Sequence, residues 1–429
     1  MQNSKIYELV LKTVKPEDDS ITEKAKETLK EIENKIKENK IHASARLGGS
    51  VAKGTYIKDD FDCDIFIAFD TSYDNKSLSD LAGKIIKDIF PKNKRVHGSR
   101  DYFQAEREGI NYEIIPVYKI KDPKDAKNIT DFSPKHVEWF NKNADSKTRD
   151  EIRIAKVFLK AQKVYGAESY INGISGHVID ILIIHFKTFE NFIKNFASWK
   201  GITKENPKII DIEKHYKNKN PLFFMNASKI SPLIVIDPVD KTRNAAAALS
   251  QEKLNIIISK SKEYLKKQSI DFFQTHHTTK DDAIKEKGKN PRIIFSIEPK
   301  GNNKDVAGTK AYKLSKQILQ YLKENDFEII KQCFDWDKKN DIIFYFDLKS
   351  TTLNEIKKQK GPKQDMIKAC KEFENWHRAK SEKVYYENNI CYADTKRIFT
   401  DIKDALNAYF EENKDKIKKI TDRYEFLEV

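Results

Sequence analysis

Between residues 61 and 67 the chain reads Phe61-Asp62-Cys63-Asp64-Ile65-Phe66-Ile67, an apolar run interrupted twice by an acid, two residues apart. A β-strand turns successive side chains to opposite faces, so Asp62 and Asp64 share one face and Cys63, Ile65 and Ile67 the other. Two carboxylates held close together repel, and the arrangement is costly unless a divalent cation lies between them; hard carboxylate oxygens suit Mg²⁺. The dipeptide spacing alone is weak evidence in a chain with 66 acidic residues, and Asp60 with Asp62 makes an overlapping match that reads equally well as a solvated loop.

The neighbouring segments add weight. Upstream, Gly48-Gly49-Ser50-Val51-Ala52-Lys53-Gly54-Thr55 offers small residues whose backbone N–H groups can approach a phosphate, at the start of a helix whose positive end favours anions. It lacks the Gly-Lys-Ser/Thr of a P-loop. Downstream, Ile110-Asn111-Tyr112-Glu113-Ile114-Ile115-Pro116 alternates again, with Ile110, Tyr112 and Ile114 on one face and Glu113 on the other, and Pro116 is expected to end the pairing. Three acids on two strands beside a Gly-Ser turn define a candidate site.

At 429 residues the chain is too long for one core, and three or four domains are expected. Apolar residues at helical spacing (Ala25, Leu29, Ile32, Ile36) predict an amphipathic helix over 21–40. Further elements are a strand over 61–69, a helix over 77–89 and a strand over 110–118, together one α/β domain. Helices are expected over 151–165, 176–199 and 245–268, the last after a short apolar strand in Ser231-Pro-Leu-Ile-Val-Ile. Strands over 292–297 and 342–348 flank a helix over 311–323, and a terminal helix is expected over 397–418. The fold class is therefore α+β, multidomain.

A net charge of +14 favours a polyanionic partner, because Lys and Arg that neutralise phosphates release counterions. The signal is weakened by a general richness in Lys, Asn and Ile. The four cysteines, Cys63, Cys333, Cys370 and Cys391, form no Cys-x-x-Cys pair and read as reduced, mostly buried thiols. No run of about 18 apolar residues and no signal-like N-terminal region occurs, so no membrane span and a cytoplasmic location are expected.

The Gly-Ser turn, an Asp-x-Asp beginning twelve residues after Ser50, and a later strand-borne acid resemble the polymerase-β-like nucleotidyltransferases. Glu113-Ile-Ile-Pro-Val-Tyr, Ser133-Pro-Lys-His136, Lys156-Val-Phe-Leu-Lys, Tyr165-Gly-Ala-Glu, Gly173-Ile-Ser-Gly and Asp237-Pro-Val-Asp-Lys-Thr-Arg243-Asn-Ala-Ala narrow the likeness to the archaeal-type, class I CCA-adding tRNA nucleotidyltransferases, over nearly the whole chain. The resemblance implies a catalytic head at 1–145, a helical neck at 146–268 that reads the nucleotide base, an α+β body at 269–352, and a body/tail region at 353–429 that grips tRNA. It also implies template-independent addition of CCA from CTP and ATP, with two Mg²⁺ ions held by Asp62, Asp64 and Glu113. Relatives usually carry Asp at the position of Glu113. The tRNA acceptor stem and 3′ end are the implied partner, and a homodimer is compatible with the family.

The same resemblance assigns nucleotide contacts to Gly49, Ser50, Lys53, His136, Lys156, Tyr165 and Arg243. Lys53 stands where relatives often have Arg, trading a bidentate fork for a point charge. Without the resemblance, His136 would read as a surface histidine, Lys156 as a snorkelling lysine and Tyr165 as a core-edge ring at the end of the 151–165 helix. His177 and His185 read as core or interface groups rather than metal ligands, and His276-His277 as an exposed, poor chelate. Trp376, Tyr385, Tyr386, Tyr392 and Phe399 interleave with Lys and Arg, a pattern that fits an RNA surface and an ordinary α+β core equally. The rival enzymes, poly(A) polymerases and oligoadenylate synthases, share the acids but not the neck motifs. A non-catalytic RNA-binding module is the rival from another class, and the presence of all three acids argues against it.

Overall fold

The computed structural model describes residues 2–98, 100–217, 219–301 and 303–429, which fall into two compact units, 1–276 and 277–429. In chain order the first unit contains α1 (Gln2–Val14), α2 (Ser20–Glu38), β1 (Ala43–Leu47), α3 (Gly49–Lys53), β2 (Cys63–Phe69), α4 (Leu78–Ile86), β3 (Lys94–Val96), β4 (Tyr102–Arg107), β5 (Ile110–Tyr118), α5 (Ser133–Asn143), α6 (Ser146–Ala161), α7 (Gly176–Phe186), α8 (Phe189–Ser198), β6 (Lys208–Ile210), β7 (Leu233–Val235) and α9 (Gln251–Lys266).

Five strands form one mixed sheet in the order β1-β2-β5-β4-β3, with β2 and β5 parallel and the other pairs antiparallel. Ala25, Ile32 and Ile36 of α2 and Leu78, Ala82, Ile85 and Ile86 of α4 bury one face of it against Cys63, Ile65, Ile67 and Ile114. In α2 a spacing of seven and four residues keeps these side chains on a single apolar stripe. The acids of β2 and β5 therefore belong to the face that α2 and α4 leave uncovered. Pro116 does not end β5: it pairs with Ile67 of β2, and the strand runs on to Tyr118. The ladder to β4 has already stopped at Phe103 opposite Ile114, so the missing N–H of proline costs no bond on that side.

A second core is helical. Phe158 of α6, Phe189, Phe192 and Phe196 of α8, and Tyr264 of α9 pack with Phe273 as interlocking rings. The single helix expected over 176–199 is two, because Lys187 takes a left-handed conformation (φ 75°) and Thr188 Oγ1 then caps α8 by accepting from the Asn191 N–H at 3.1 Å. The turn lets Phe189 and Phe192 enter the core. Likewise the helix expected from Ala245 begins at Gln251, after Ser250, whose Oγ accepts from the Lys253 N–H. A short parallel pair, β6 with β7, precedes it.

The second unit contains α10 (Lys280–Lys285), β8 (Arg292–Ile297), α11 (Lys304–Glu324), β9 (Ile329–Asp335), β10 (Ile342–Leu348), β11 (Ile356–Lys363), α12 (Ile367–Arg378), β12 (Lys383–Glu387), β13 (Ile390–Lys396), α13 (Ile402–Glu412), α14 (Lys414–Ile417) and β14 (Tyr424–Glu428). An antiparallel sheet ordered β14-β8-β10-β9 packs against α11 and α13 through Phe295, Phe344, Leu314, Ile318, Leu406 and Phe410. A smaller sheet, β11-β13-β12, carries α12 on one face. The terminal helix expected over 397–418 is shorter: β13 runs to Lys396, and α13 starts only after Asp401, whose carboxylate caps it. Among the described residues no helix is long and apolar enough to cross a membrane.

Candidate active site

The parallel pairing of β2 with β5 sets Asp64 directly opposite Glu113. Asp62 lies one residue ahead of β2 and is exposed, whereas Asp64 and Glu113 are half-buried. Glu113 is oriented by Gln104 on β4, its cross-strand partner, whose Nε2 donates to Glu113 Oε1 at 2.8 Å. Burial, then the neighbouring charges of Glu113 and Asp62, push the Asp64 carboxyl up to about 7, against a partial pull downward from Lys53.

The Gly-Ser turn is fastened to the same strand. Gly48 N–H donates to the Asp64 carbonyl at 2.7 Å, and Gly49 sits at φ 54° so close to the acid that a Cβ there would lie 1.6 Å from Asp64 Oδ2. Only glycine satisfies both the conformation and the approach. Ser50 follows in α3, a single turn of five residues, so its end effect is small. Hard oxygen donors gathered where one of them is reluctant to ionise fit a divalent cation, which would supply the missing positive charge.

Asp64 makes stability depend on pH in a calculable direction. Its proton is released near 3.8 in the unfolded chain but only at about 7 in the folded one, so its ionisation costs stability progressively from pH 4 to 7, and fully above that. Asp64→Asn should therefore raise the melting temperature of the EDTA-treated protein at pH 8, with the gain narrowing as pH falls to about 4. A gain of equal size at both pH values would show that the carboxylate is not perturbed.

Lys53, Lys156 and Tyr165 come together at the start of α7. Lys53 is buried and its Nζ lies 2.8 Å from Asp180 Oδ2, inside that helix. Lys156 on α6 donates to the Thr55 carbonyl at 2.9 Å and to Thr55 Oγ1 at 3.1 Å, and burial pulls its ammonium down to about 8. Tyr165 is not on a helix: α6 ends at Ala161, and Tyr165 bridges Ile174 instead. Gly176 permits the meeting, since a Cβ there would stand 3.1 Å from Tyr165 Oη and 3.9 Å from Lys156 Cε. The charge of Lys53 acts on Asp64, Lys156, His136 and His177 together, so it links the groups electrostatically.

His136 on α5 and Arg243 in the loop after β7 converge on Asp237. His136 Nε2 is 2.9 Å and Arg243 Nη1 2.6 Å from Asp237 Oδ2, and His177 Nε2 is 3.4 Å away. Burial lowers His136, and lowers His177 to about 4. Burial would raise Asp237, but hydrogen bonds from both histidines outweigh it and hold the carboxyl far below its usual range. His136, His177 and Asp237 could in principle hold a metal, the one such group of three found among the described residues. The guanidinium seated on the same carboxylate disfavours a second cation there.

Of the histidines set aside in the sequence, His177 thus joins this cluster, while His185 at the end of α7 is exposed rather than part of a core. The sequence reading missed Gln104, Asp180 and Asp237. The signals were an acid within the apolar helix Gly176–Phe186 and an Asp in a motif already singled out; a buried acid has to be paired.

The sequence matches three family models in succession: a nucleotidyltransferase domain at residues 29–136, the second domain of tRNA nucleotidyltransferase at 150–274, and the C-terminal domain of CCA-adding enzyme at 293–428. It is 36% identical over 301 residues to the CCA-adding enzyme of Nanoarchaeum equitans, covering 70% of this chain and 72% of that one. To the CCA-adding enzyme of Thermoplasma volcanium it is 30% identical, covering 83% and 76%, and to that of Thermoplasma acidophilum 27% identical, covering 98% and 94%. A solved structure of a cytoplasmic RNA terminal U-transferase superposes with a TM-score of 0.50 at 12% identity, over 65% of this chain and 99% of that one, a likeness of fold alone.

Proposed function

Because the chain belongs to the CCA-adding enzyme family, we propose that it completes or repairs the 3′-terminal CCA of tRNA from CTP and ATP, with Asp62, Asp64 and Glu113 holding two Mg²⁺ ions where the bond forms. The observation that carries this reading is the register of Asp64 opposite Glu113, with Gly49 packed against Asp64. The reaction is attack of the RNA 3′-hydroxyl on the α-phosphate with departure of pyrophosphate. Divalent cations bound there would lower the hydroxyl pKa and neutralise charge on the phosphates.

The chain's own groups do the rest. Ser50 offers a hydroxyl and an N–H to the triphosphate. Lys156, whose ammonium is depressed to about 8 by burial, is held more firmly in its charged form once an anion lies beside it. Tyr165 and Lys53 flank it, and His136 contacts phosphate or ribose. Arg243 presents a planar edge to the base, so that cytosine and adenine are accepted without a nucleic-acid template and the wrong base leaves polar groups unpaired.

In this reading residues 1–145 are the head, 146–268 the neck, 269–352 the body and 353–429 a body/tail region, the last two gripping the acceptor stem. Lys358 Nζ lies 4.1 Å above the Tyr392 ring and Lys380 Nζ 3.3 Å above the half-exposed Trp376, the pairing of stacking surface and charge that single-stranded RNA favours. Phe399 is partly buried against the core of its unit. A cytoplasmic location completes the reading, and a homodimer is compatible with it.

Transcripts of tRNA lacking the terminal A, the terminal CA or the whole CCA, incubated with each labelled nucleotide separately and together, test it. Ordered addition of C, C and A followed by arrest is the expected result. Continued addition of A, or incorporation of U, would replace this reading with a poly(A) polymerase or uridylyl transferase.

A further inference from the structure

Asp237 is fully buried and yet collects hydrogen bonds from every side. Its Oδ1 accepts from the Val239 and Asp240 N–H groups at 3.0 and 3.3 Å, and its two oxygens take His136 Nε2 at 3.0 and 2.9 Å, as well as His177 Nε2 and Arg243 Nη1. The loop that carries Arg243 is closed on the same residue: Asp237 N–H donates to the Arg243 carbonyl and Arg243 N–H to the Asp240 carbonyl, both at 3.0 Å. Arg243 is thus held at its main chain and at one guanidinium nitrogen, while its side chain stays 27% exposed.

A carboxylate can only accept, so the Nε2 of His136 must carry a proton toward it, and in the uncharged ring Nδ1 is then an acceptor. An acceptor suits a sugar hydroxyl and not a phosphate oxygen.

We propose that Asp237 is the positioning residue of the nucleotide site: it aims the Arg243 guanidinium at the base edge and fixes the His136 proton on Nε2, so that Nδ1 accepts from a ribose hydroxyl. The inference rests on the assignment of Arg243 and His136 to the nucleotide site. A metal centre at the same cluster is the competing interpretation; bound through Nε2, a cation would need the lone pairs that the hydrogen bonds to Asp237 use.

The test compares the full-length chain with Asp237→Asn, Arg243→Ala and the double variant, on tRNA lacking its terminal A. Asp237→Asn should raise the KM for ATP about tenfold with kcat changed much less, the scale of one charge-assisted contact, and erode the preference for ATP over GTP. In the Arg243→Ala background it should produce no further loss of base preference. Long-range ¹H–¹⁵N spectra should show the His136 proton on Nε2 in the wild type and a smaller Nε2-protonated fraction in Asp237→Asn, whose amide can donate as well as accept.

If that variant does not fold, Arg243→Ala decides: without the guanidinium the carboxylate holds the His136 proton more strongly, and the His136 pKa should rise. Should Arg243→Ala leave base preference intact, the base-reader assignment fails, whereas the histidine spectra still judge Asp237. Losses of preference that multiply in the double variant, a His136 proton indifferent to both substitutions, or stoichiometric zinc retained on purification would overturn the proposal.

Discussion

Alanine at Asp62 or Asp64 is expected to lower nucleotide incorporation by about 10³-fold or more, the upper range for removing one group that stabilises transition-state charge, while tRNA affinity hardly changes. The reason lies in the site's electrostatics. Asp64 is perturbed upward by burial first and then by the like charges of Glu113 and Asp62, so the folded chain holds its ionised form at a cost that a bound cation would offset. Deleting the carboxylate removes a liability of the apo fold, and the variant should fold at least as well as the wild type. Loss of activity in a well-folded protein is then a statement about chemistry. The assignment fails if either variant keeps wild-type incorporation, and the separation of chemistry from RNA grip fails if tRNA binding falls in parallel.

Much of this site was legible because its signals are local. Alternation marks β2 and β5, and two consecutive glycines before Ser50 mark a turn that tolerates a positive φ. The register of Asp64 against Glu113 was not legible, since pairing between strands almost fifty residues apart leaves no mark in either segment's own pattern. The same limit explains Asp237, whose partners His136 and His177 come from α5 and α7. Where tertiary packing overrides local preference, the reading erred. Lys187 breaks an apolar helix because two phenylalanines gain a core. β11, with four lysines, Gly361 and Pro362, has none of the usual marks of a strand and exists because β13 pairs with it. The helix expected from Arg397 starts at Ile402 instead, where the Asp401 carboxylate caps it.

Lys53→Met should destabilise the protein by about 3–5 kcal/mol, the range for removing one partner of a buried ion pair. Lys53 and Asp180 are both buried, Lys53 Nζ lies 2.8 Å from Asp180 Oδ2, and Asp180 Oδ1 has no hydrogen-bond partner among the described residues. Methionine would leave that carboxylate in an apolar helix with its principal counter-charge gone. Adding Asp180→Leu should restore most of the loss, because two apolar side chains of similar volume pack where two charges had to be desolvated. The pair of variants also separates two roles for Lys53. If it serves only as a tie between α3 and α7, the double variant regains stability and keeps its KM for ATP. If its charge also steadies the triphosphate, stability returns but the KM stays raised, and that is the result expected from the reach of Lys53 toward Asp64, His136 and Lys156. Chemical denaturation of the single variant decides the first point, and a loss below about 1 kcal/mol, the range of an exposed pair, would show that the ion pair does not hold these elements together.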